Sequence, residues 1–107
     1  MGKMQRNKGK VGEREVANIL KEHGYEARRG QQFSGKNGDA DVVGLDGFHI
    51  EVKRQEAYKI DDWYEQSCSD ARSGEIPIVV FRKSRSKWKV IIAFEEFLEV
   101  LNGHTNL

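Results

Sequence analysis

The stretch that most constrains this chain is residues 38–54, Gly-Asp-Ala-Asp-Val-Val-Gly-Leu-Asp-Gly-Phe-His-Ile-Glu-Val-Lys-Arg. Apolar and polar residues alternate from Phe48 to Lys53, which is the two-residue period of a β-strand with one face in a core. Asp46-Gly47, between two runs rich in β-formers, is typical of a hairpin turn. The stretch therefore predicts two short antiparallel strands joined by a tight turn.

This hairpin returns the chain so that Asp41 lies beside Glu51 and Lys53. Two converging carboxylates supply the oxygen ligands that Mg²⁺ prefers, and a lysine beside such an ion can stabilise charge on a phosphate under attack. A Glu-X-Lys sequence taken alone is typical of a solvated strand face. An aspartate upstream across a hairpin favours a metal site instead. The pattern therefore predicts metal-assisted hydrolysis of phosphodiester bonds.

The chemistry also predicts the register of the hairpin. A regular two-residue turn at Asp46-Gly47 would place Asp41 opposite Val52, and the two carboxylates would then lie on opposite faces. A three-residue connection over 45–47 with glycine in the left-handed conformation, or a bulge with the same effect, places Asp41 opposite Glu51. Because one ion can be shared only in the second arrangement, we predict the shifted register.

Composition limits the class of protein. The chain has 107 residues, 37% hydrophobic and 33% charged, which suits one folded domain spanning 1–107. No apolar run reaches the length of a membrane span or a signal-peptide core, so we expect no membrane partner and a location in the cytoplasm. The single cysteine, Cys68, excludes an intramolecular disulfide and a cysteine-based zinc site, and we expect it to be at least half-buried in a helix.

A net charge of +1 hides a segregation of charge along the chain. Residues 1–36 hold nine Lys or Arg against four Glu, residues 37–81 hold four against ten acids, and residues 82–89 hold five and no acid. Two basic segments that flank an acidic centre suit a protein that grips a phosphate backbone. A solvated basic turn would explain 82–89 equally well.

The same residues resemble a known family. The elements Lys8-Gly9, Gly12-Glu13, Gly24-Tyr25, Ser34-Gly35, Asp41 and Glu51-Val52-Lys53, with Ala40 where the family often has Pro, are similar to the PD-(D/E)XK nuclease superfamily. Within it, roughly residues 8–93 resemble the archaeal and phage Holliday-junction resolvases. The resemblance implies that Glu13, Asp41, Glu51 and Lys53 are catalytic. It also implies that Asp41, Glu51, Glu13 and the main-chain carbonyl of Val52 bind Mg²⁺, for which Mn²⁺ can substitute.

Basic and polar side chains are predicted to contact DNA, and one of them, Gln66, is included because the resemblance implies a helical Gln near the site. They are Lys8, Lys10, Arg28, Arg29, Ser34, Lys36, Gln66, Arg82, Lys83, Arg85 and Lys87. Without the resemblance, Glu13 and Gln66 would be ordinary surface residues. The three histidines do not cluster in the sequence, so we expect no histidine metal site and a surface or interface role for His49.

The predicted fold is α+β with an α/β-type core, a mixed sheet of about five strands flanked by helices in the order αβββαββα. By the resemblance, it is restriction-endonuclease-like. Outside the hairpin, the predicted elements are helices at about 10–23, 60–71 and 94–101 and strands at 25–29, 76–81 and 87–93. A basic N-terminal arm over 1–9 and a frayed tail over 102–107 complete the chain.

These observations predict a Mg²⁺-dependent, structure-selective DNA endonuclease, with a Holliday-junction resolvase of DNA recombination as the first hypothesis. A nicking, flap or single-strand nuclease of the same fold, a non-catalytic DNA-binding protein and a pure interaction module are the alternatives. A resolvase acts on branched DNA with two active sites related by a twofold axis, so a homodimer is expected. Its interface would draw on Trp63, Phe81, Trp88 or the terminal helix.

Overall fold

The fold comes from a computed structural model that describes residues 2–31 and 40–103, with side chains from residue 9 onwards. The elements are α1 (Gly2–Glu22), β1 (Arg28–Arg29), β2 (Val42–Val43), β3 (Phe48–Arg54), α2 (Ile60–Asp70), β4 (Ile76–Arg82), β5 (Lys89–Ile91) and α3 (Phe94–Leu101). This order confirms the predicted αβββαββα arrangement. In the described part of the chain, no helix combines the length and the apolar character needed to span a bilayer.

The five strands form one sheet in the order β1-β2-β3-β4-β5. Strands β3 and β4 are parallel, and the other neighbouring pairs are antiparallel. A parallel pair needs a long crossover connection, and α2 provides it between β3 and β4. The sheet is therefore mixed, and the predicted α+β fold class is confirmed.

Two apolar layers cover the two faces of the sheet. On one face, Val16 of α1 packs with Ile50 of β3 in the larger core cluster. On the other face, Trp63 of α2 packs with Val79 and Phe81 of β4. The odd-numbered positions of β3 belong to this second face, because successive strand residues point to opposite sides. The polar set of β3 is consequently covered by α2 rather than open to solvent on all sides.

The hairpin between β2 and β3 has the register that the chemistry required. Val42 pairs with Ile50, so the same antiparallel ladder places Asp41 opposite Glu51. Both Val42 and Ile50 are 1% exposed, which means that the register also puts the apolar pair into the core. The predicted shifted register is confirmed.

Glycine makes this register possible. The Phe48 N–H donates to the Leu45 carbonyl (3.2 Å), which closes the turn around Gly47 at φ +87°. Gly44 adopts φ +118°, and a Cβ there would lie 2.5 Å from the Cα of Ala27. A side chain at Gly44 is thus excluded both by the backbone conformation and by the close approach of the segment that precedes β1.

Helix α1 begins at Gly2 rather than near Lys10, so the predicted start of the first helix was wrong. The basic and polar composition of residues 1–10 had indicated a later start. Gly12 serves packing, because a Cβ there would lie 3.0 Å from the Cβ of Arg54 and 3.4 Å from the Trp88 ring. Strands β1 and β5 are shorter than predicted, and residues 104–107 of the predicted tail lie outside the described residues.

Helices α2 and α3 both expose uncharged side chains to solvent. On α2, Trp63 and Ser67 face the sheet and are buried, and Cys68 is exposed, which corrects the expectation of a half-buried thiol. On α3 no residue is buried, and Phe94 and Leu101 are 72% and 65% exposed. Helix α3 therefore presents an apolar surface to solvent.

Candidate active site

The predicted catalytic residues of the hairpin lie together on the α2 side of the sheet. Glu51 is in the middle of β3, is 7% exposed and neighbours Val79 in the parallel ladder. Lys53 follows two positions later on the same face and is partly exposed. Asp41 joins them from the start of the hairpin because of the register described above. One buried carboxylate, one partly buried carboxylate and one ammonium group thus share one end of the sheet.

Asp41 is held by the strand that carries Glu51. Its Oδ2 accepts a hydrogen bond from the Val52 N–H (2.8 Å). The pKa of Asp41 is raised from 3.8 to about 7, mainly by burial and also by the negative charges of Glu51 and Glu13, and the Val52 hydrogen bond and Lys53 oppose this rise. The carboxyl of Asp41 therefore retains its proton close to neutral pH unless a positive charge arrives.

Glu13 approaches the same place from α1. Its Oε1 accepts a hydrogen bond from Arg29 Nε (3.0 Å), and its side chain is only 15% exposed. Its charge contributes to the raised pKa of Asp41, which places it within electrostatic reach of that carboxylate. Sequence patterns alone suggested a solvated glutamate, and only the resemblance indicated this position.

These carboxylates fit the divalent ion that the fold family implies. Three acidic side chains converge on one region, and repulsion among them is part of why the Asp41 proton is retained. A divalent cation would remove that repulsion and would find the oxygen ligands that Mg²⁺ or Mn²⁺ accepts. The structure records the Val52 N–H as a donor to Asp41, and the predicted role of the Val52 carbonyl stays a prediction.

His49 is not the surface residue that the sequence suggested. It is 6% exposed, its Nε2 lies 3.1 Å from Glu51 Oε2, and its Nδ1 lies 3.8 Å from Glu75 Oε1. The hydrogen bond to Glu51 raises the pKa of His49, and burial opposes that rise. Because α2 and the segment before β4 cover this end of the sheet, a residue near the turn becomes enclosed. The prediction of a surface role was therefore wrong.

Asp70, at the end of α2, completes a group with these two residues. Within residues 2–31 and 40–103, His49, Glu51 and Asp70 form the one set of three metal-ligating side chains whose ligand atoms all lie within 4.8 Å of one another. The sequence predicted no histidine metal site, and the structure brings one histidine into a group that could hold an ion. No local pattern indicated this group, because Asp70 reaches the strand only through the packing of α2.

Several residues that are predicted to contact DNA lie at the surface. Lys10, Arg28, Lys83, Arg85, Lys87 and Gln66 are exposed. Arg85 has φ +61° in the turn between β4 and β5, so its backbone is in the left-handed region. The side chain of Lys8 and all of Ser34 and Lys36 lie outside the described residues.

Two of the residues predicted to contact DNA, Arg29 and Arg82, form ion pairs with glutamates of the protein. Arg29 donates to Glu13, as described above. Arg82 Nη2 donates to Glu15 Oε1 (2.9 Å), and its guanidinium lies 5.1 Å from the centre of the Trp88 ring. Trp88 Nε1 donates to the same Glu15 oxygen (3.2 Å). Arg82 therefore joins β4, β5 and α1, and its charge is largely compensated within the protein.

A mixed five-stranded sheet with this element order, which carries an aspartate and a Glu-X-Lys sequence on neighbouring strands, defines the restriction-endonuclease-like fold of the PD-(D/E)XK nucleases. Residues 4–107 match the family described as "Phage putative PDDEXK endonuclease", and the chain belongs to this family of nucleases. No curated protein sequence is significantly similar to the chain.

Among solved structures, the chain is similar to Hjc of Archaeoglobus fulgidus, a Holliday junction resolvase from an archaeal hyperthermophile. The two share 27% sequence identity with a TM-score of 0.58, over 79% of this chain and 72% of that one. The predicted resemblance to resolvases within the PD-(D/E)XK superfamily is confirmed.

Proposed function

We propose that this chain is a Mg²⁺-dependent, structure-selective DNA endonuclease, and specifically a Holliday-junction resolvase that acts in the cytoplasm during DNA recombination. The observation that carries the proposal is the register that sets Asp41 opposite the buried Glu51, with Lys53 on the same face. The nuclease family and the similarity to a resolvase support the choice of substrate.

In this proposal, Asp41 and Glu51 hold the ion, with Glu13 and the Val52 carbonyl completing its surroundings. The ion supplies the positive charge that lowers the barrier to attack on a phosphodiester. Lys53 orients or activates the attacking water and stabilises the negative charge that develops on the phosphate. Each acidic group has a donor that fixes its position: the Val52 N–H for Asp41, Arg29 for Glu13 and His49 for Glu51.

The DNA backbone is proposed to lie across the basic turn between β4 and β5. Lys83, Arg85 and Lys87 are exposed there and can contact phosphates of the DNA backbone. The affinity that such contacts give for DNA falls at high salt. Gln66 is exposed on α2, one helical turn before Asp70, and residues four apart lie on the same helix face. This spacing supports a Gln66 position near the same site.

A homodimer is proposed because symmetric cleavage of a four-way junction needs two active sites related by a twofold axis. Trp63 and Phe81 are 4% and 6% exposed, so they belong to the core and are excluded as interface residues. The half-buried Trp88 and the exposed apolar side chains of α3, notably Phe94 and Leu101, remain as the proposed interface surface. Charged substitutions there should release monomers.

The double variant Phe94→Glu with Leu101→Glu tests this interface by sedimentation velocity at micromolar concentration. Val11→Glu is the matched control, since Val11 is an exposed apolar residue (45%) on another helix. We expect a dimer for the wild type and the control and a monomer for the double variant. A wild type that stays monomeric with and without DNA would favour a nicking or flap nuclease.

Cleavage assays test the activity itself. Four-way junctions, flaps, duplexes and single strands are incubated side by side with Mg²⁺, with Mn²⁺ and with chelator. We expect paired cuts in the junction that depend on the metal and that Asp41→Asn, Glu51→Gln and Lys53→Ala reduce by orders of magnitude. Asp46→Asn, the same chemical change in the exposed turn, is the control. Salt-sensitive DNA binding without any hydrolysis would indicate a non-catalytic DNA-binding protein.

A further inference from the structure

The cluster of His49, Glu51 and Asp70 does not include Asp41. His49 Nε2 and Glu51 Oε2 are 3.1 Å apart, and one ligand atom from each of the three residues lies within 4.8 Å of the other two. A carboxylate has two oxygens, so Glu51 can face His49 with one and the Asp41 region with the other. The nuclease mechanism proposed above uses neither the ring of His49 as a ligand nor Asp70.

The separation of these atoms suits shared coordination. Metal-ligand bonds to His nitrogen and carboxylate oxygen are about 2.1 Å, so two ligands at right angles on one ion lie about 3.0 Å apart. The observed 3.1 Å between His49 Nε2 and Glu51 Oε2 is close to that value. An ion can replace the hydrogen between His49 Nε2 and Glu51 Oε2 with only small movements of these two buried side chains.

The other nitrogen of His49 faces a carboxylate, as the second nitrogen of many metal-bound histidines does. Its Nδ1 lies 3.8 Å from Glu75 Oε1, an ion-pair distance that is longer than a hydrogen bond, and that oxygen accepts a hydrogen bond from the Arg72 N–H (2.8 Å). Histidines that bind metals typically donate their second ring N–H to a carboxylate, which fixes the tautomer with the free nitrogen toward the ion. Glu75 can therefore position His49 without being a ligand itself.

An ion can reach this cluster from solvent. Asp70 is exposed, and a hollow of about 240 Å³ lies between the hairpin turn and the end of α2, with His49, Asp70 and Glu75 in its wall. Within the cluster, His49 and Glu51 are buried and Asp70 is exposed. Water molecules from the hollow can complete the coordination of a bound ion.

We propose that His49, Glu51 and Asp70 form a second cation site that binds a first-row transition-metal ion in preference to Mg²⁺. One imidazole with two carboxylates suits Mn²⁺, Co²⁺ or Zn²⁺, whereas Mg²⁺ prefers oxygen ligands and water. Glu51 then belongs to both sites and links their occupancy. The site rests on the described geometry and does not require the chain to be a nuclease.

Co²⁺ is the probe, because its visible absorption reports ligation and calorimetry reports the dissociation constant. The full chain is titrated with Co²⁺ in excess Mg²⁺, as wild type and as His49→Gln, Asp70→Asn and Asp41→Asn. We expect one tight site in the wild type, and at least about tenfold weaker binding in the His49 and Asp70 variants. The Asp41 variant should retain the site. His23→Gln, which changes an exposed histidine, is the control and should also retain it.

Asp70 is exposed, so the Asp70→Asn variant should fold normally. This variant can therefore test the proposal even if the His49→Gln variant is unstable. Unchanged Co²⁺ affinity in folded Asp70→Asn, or loss of binding in His23→Gln, would overturn the proposal. Absence of Co²⁺ binding in the wild type with excess Mg²⁺ would do the same. Cleavage that fails while Co²⁺ binding depends on His49 would refute the proposed nuclease activity and leave this site in place.

Discussion

Replacing Asp41 by Asn should make the metal-free protein more stable at neutral and alkaline pH, although it removes activity. The folded state raises the pKa of this carboxyl from 3.8 to about 7, so between those values the folded chain keeps a proton that the unfolded chain has released. Stability therefore falls as the pH rises through this window and levels off above it. Asn keeps an oxygen that can accept the Val52 N–H bond and has no proton to lose.

The rise in the pKa of Asp41 determines how much stability the wild type loses as the pH rises. A rise of about three pKa units corresponds to at most roughly 4 kcal/mol of lost stability above pH 7. Because surrounding water and side chains relax around the charge, a measured difference on the order of 1–2 kcal/mol is expected. Saturating Mg²⁺ should reverse the order, since an ion at 100 times its dissociation constant stabilises the wild type by about 2.7 kcal/mol.

The assay is urea denaturation of both proteins in chelator at several pH values between 5 and 9. The difference in the free energy of unfolding between variant and wild type should grow up to about pH 7 and then stay constant. Asp46→Asn, in the exposed turn, should give no comparable trend. A difference in the free energy of unfolding that does not depend on pH would show that burial and charge repulsion do not prepare this site for a cation. An Asp41 variant that is less stable than the wild type above pH 7 in chelator would show the same.

Three further outcomes are expected. Lys53→Ala should reduce cleavage by orders of magnitude and leave Mg²⁺ affinity, measured by calorimetry, within a few fold, because lysine is not a ligand. Mg²⁺ affinity of the wild type should weaken by up to about tenfold for each pH unit below 7, since the proton on Asp41 competes with the ion. Gly44→Ala should lower the free energy of unfolding, measured in urea, by more than about 2 kcal/mol, because backbone strain adds to a clash with Ala27. Gly24→Ala is also at positive φ, but no atom lies within 4 Å of the added Cβ, so it should lower this free energy by only about 1 kcal/mol.

The parts of the site that are local in sequence could be predicted. Alternation along β3 and the need for two carboxylates on one face were enough to predict the register that pairs Val42 with Ile50. The order of helices and strands followed from the same periodicities and from the turn residues. Both kinds of signal come from residues close together in the chain.

The parts that depend on distant residues could not be predicted. His49 is buried because α2 and the segment before β4 cover its end of the sheet, and no local pattern reports that cover. Arg82 appeared to be a free cation until its partner Glu15, 67 residues away, was known. The sequence shows where charged side chains lie along the chain, but ion pairs between distant residues decide which of these charges are compensated within the protein.

The register of the hairpin makes the proposed catalytic site depend on correct folding of the core. A slip of one residue in β2 would turn Val42 out of the core and, in the same movement, separate Asp41 from Glu51. A misfolded hairpin would thus lose the proposed metal site for the same reason that it is unstable. The site that is proposed to cleave phosphodiester bonds therefore exists only where the core is complete.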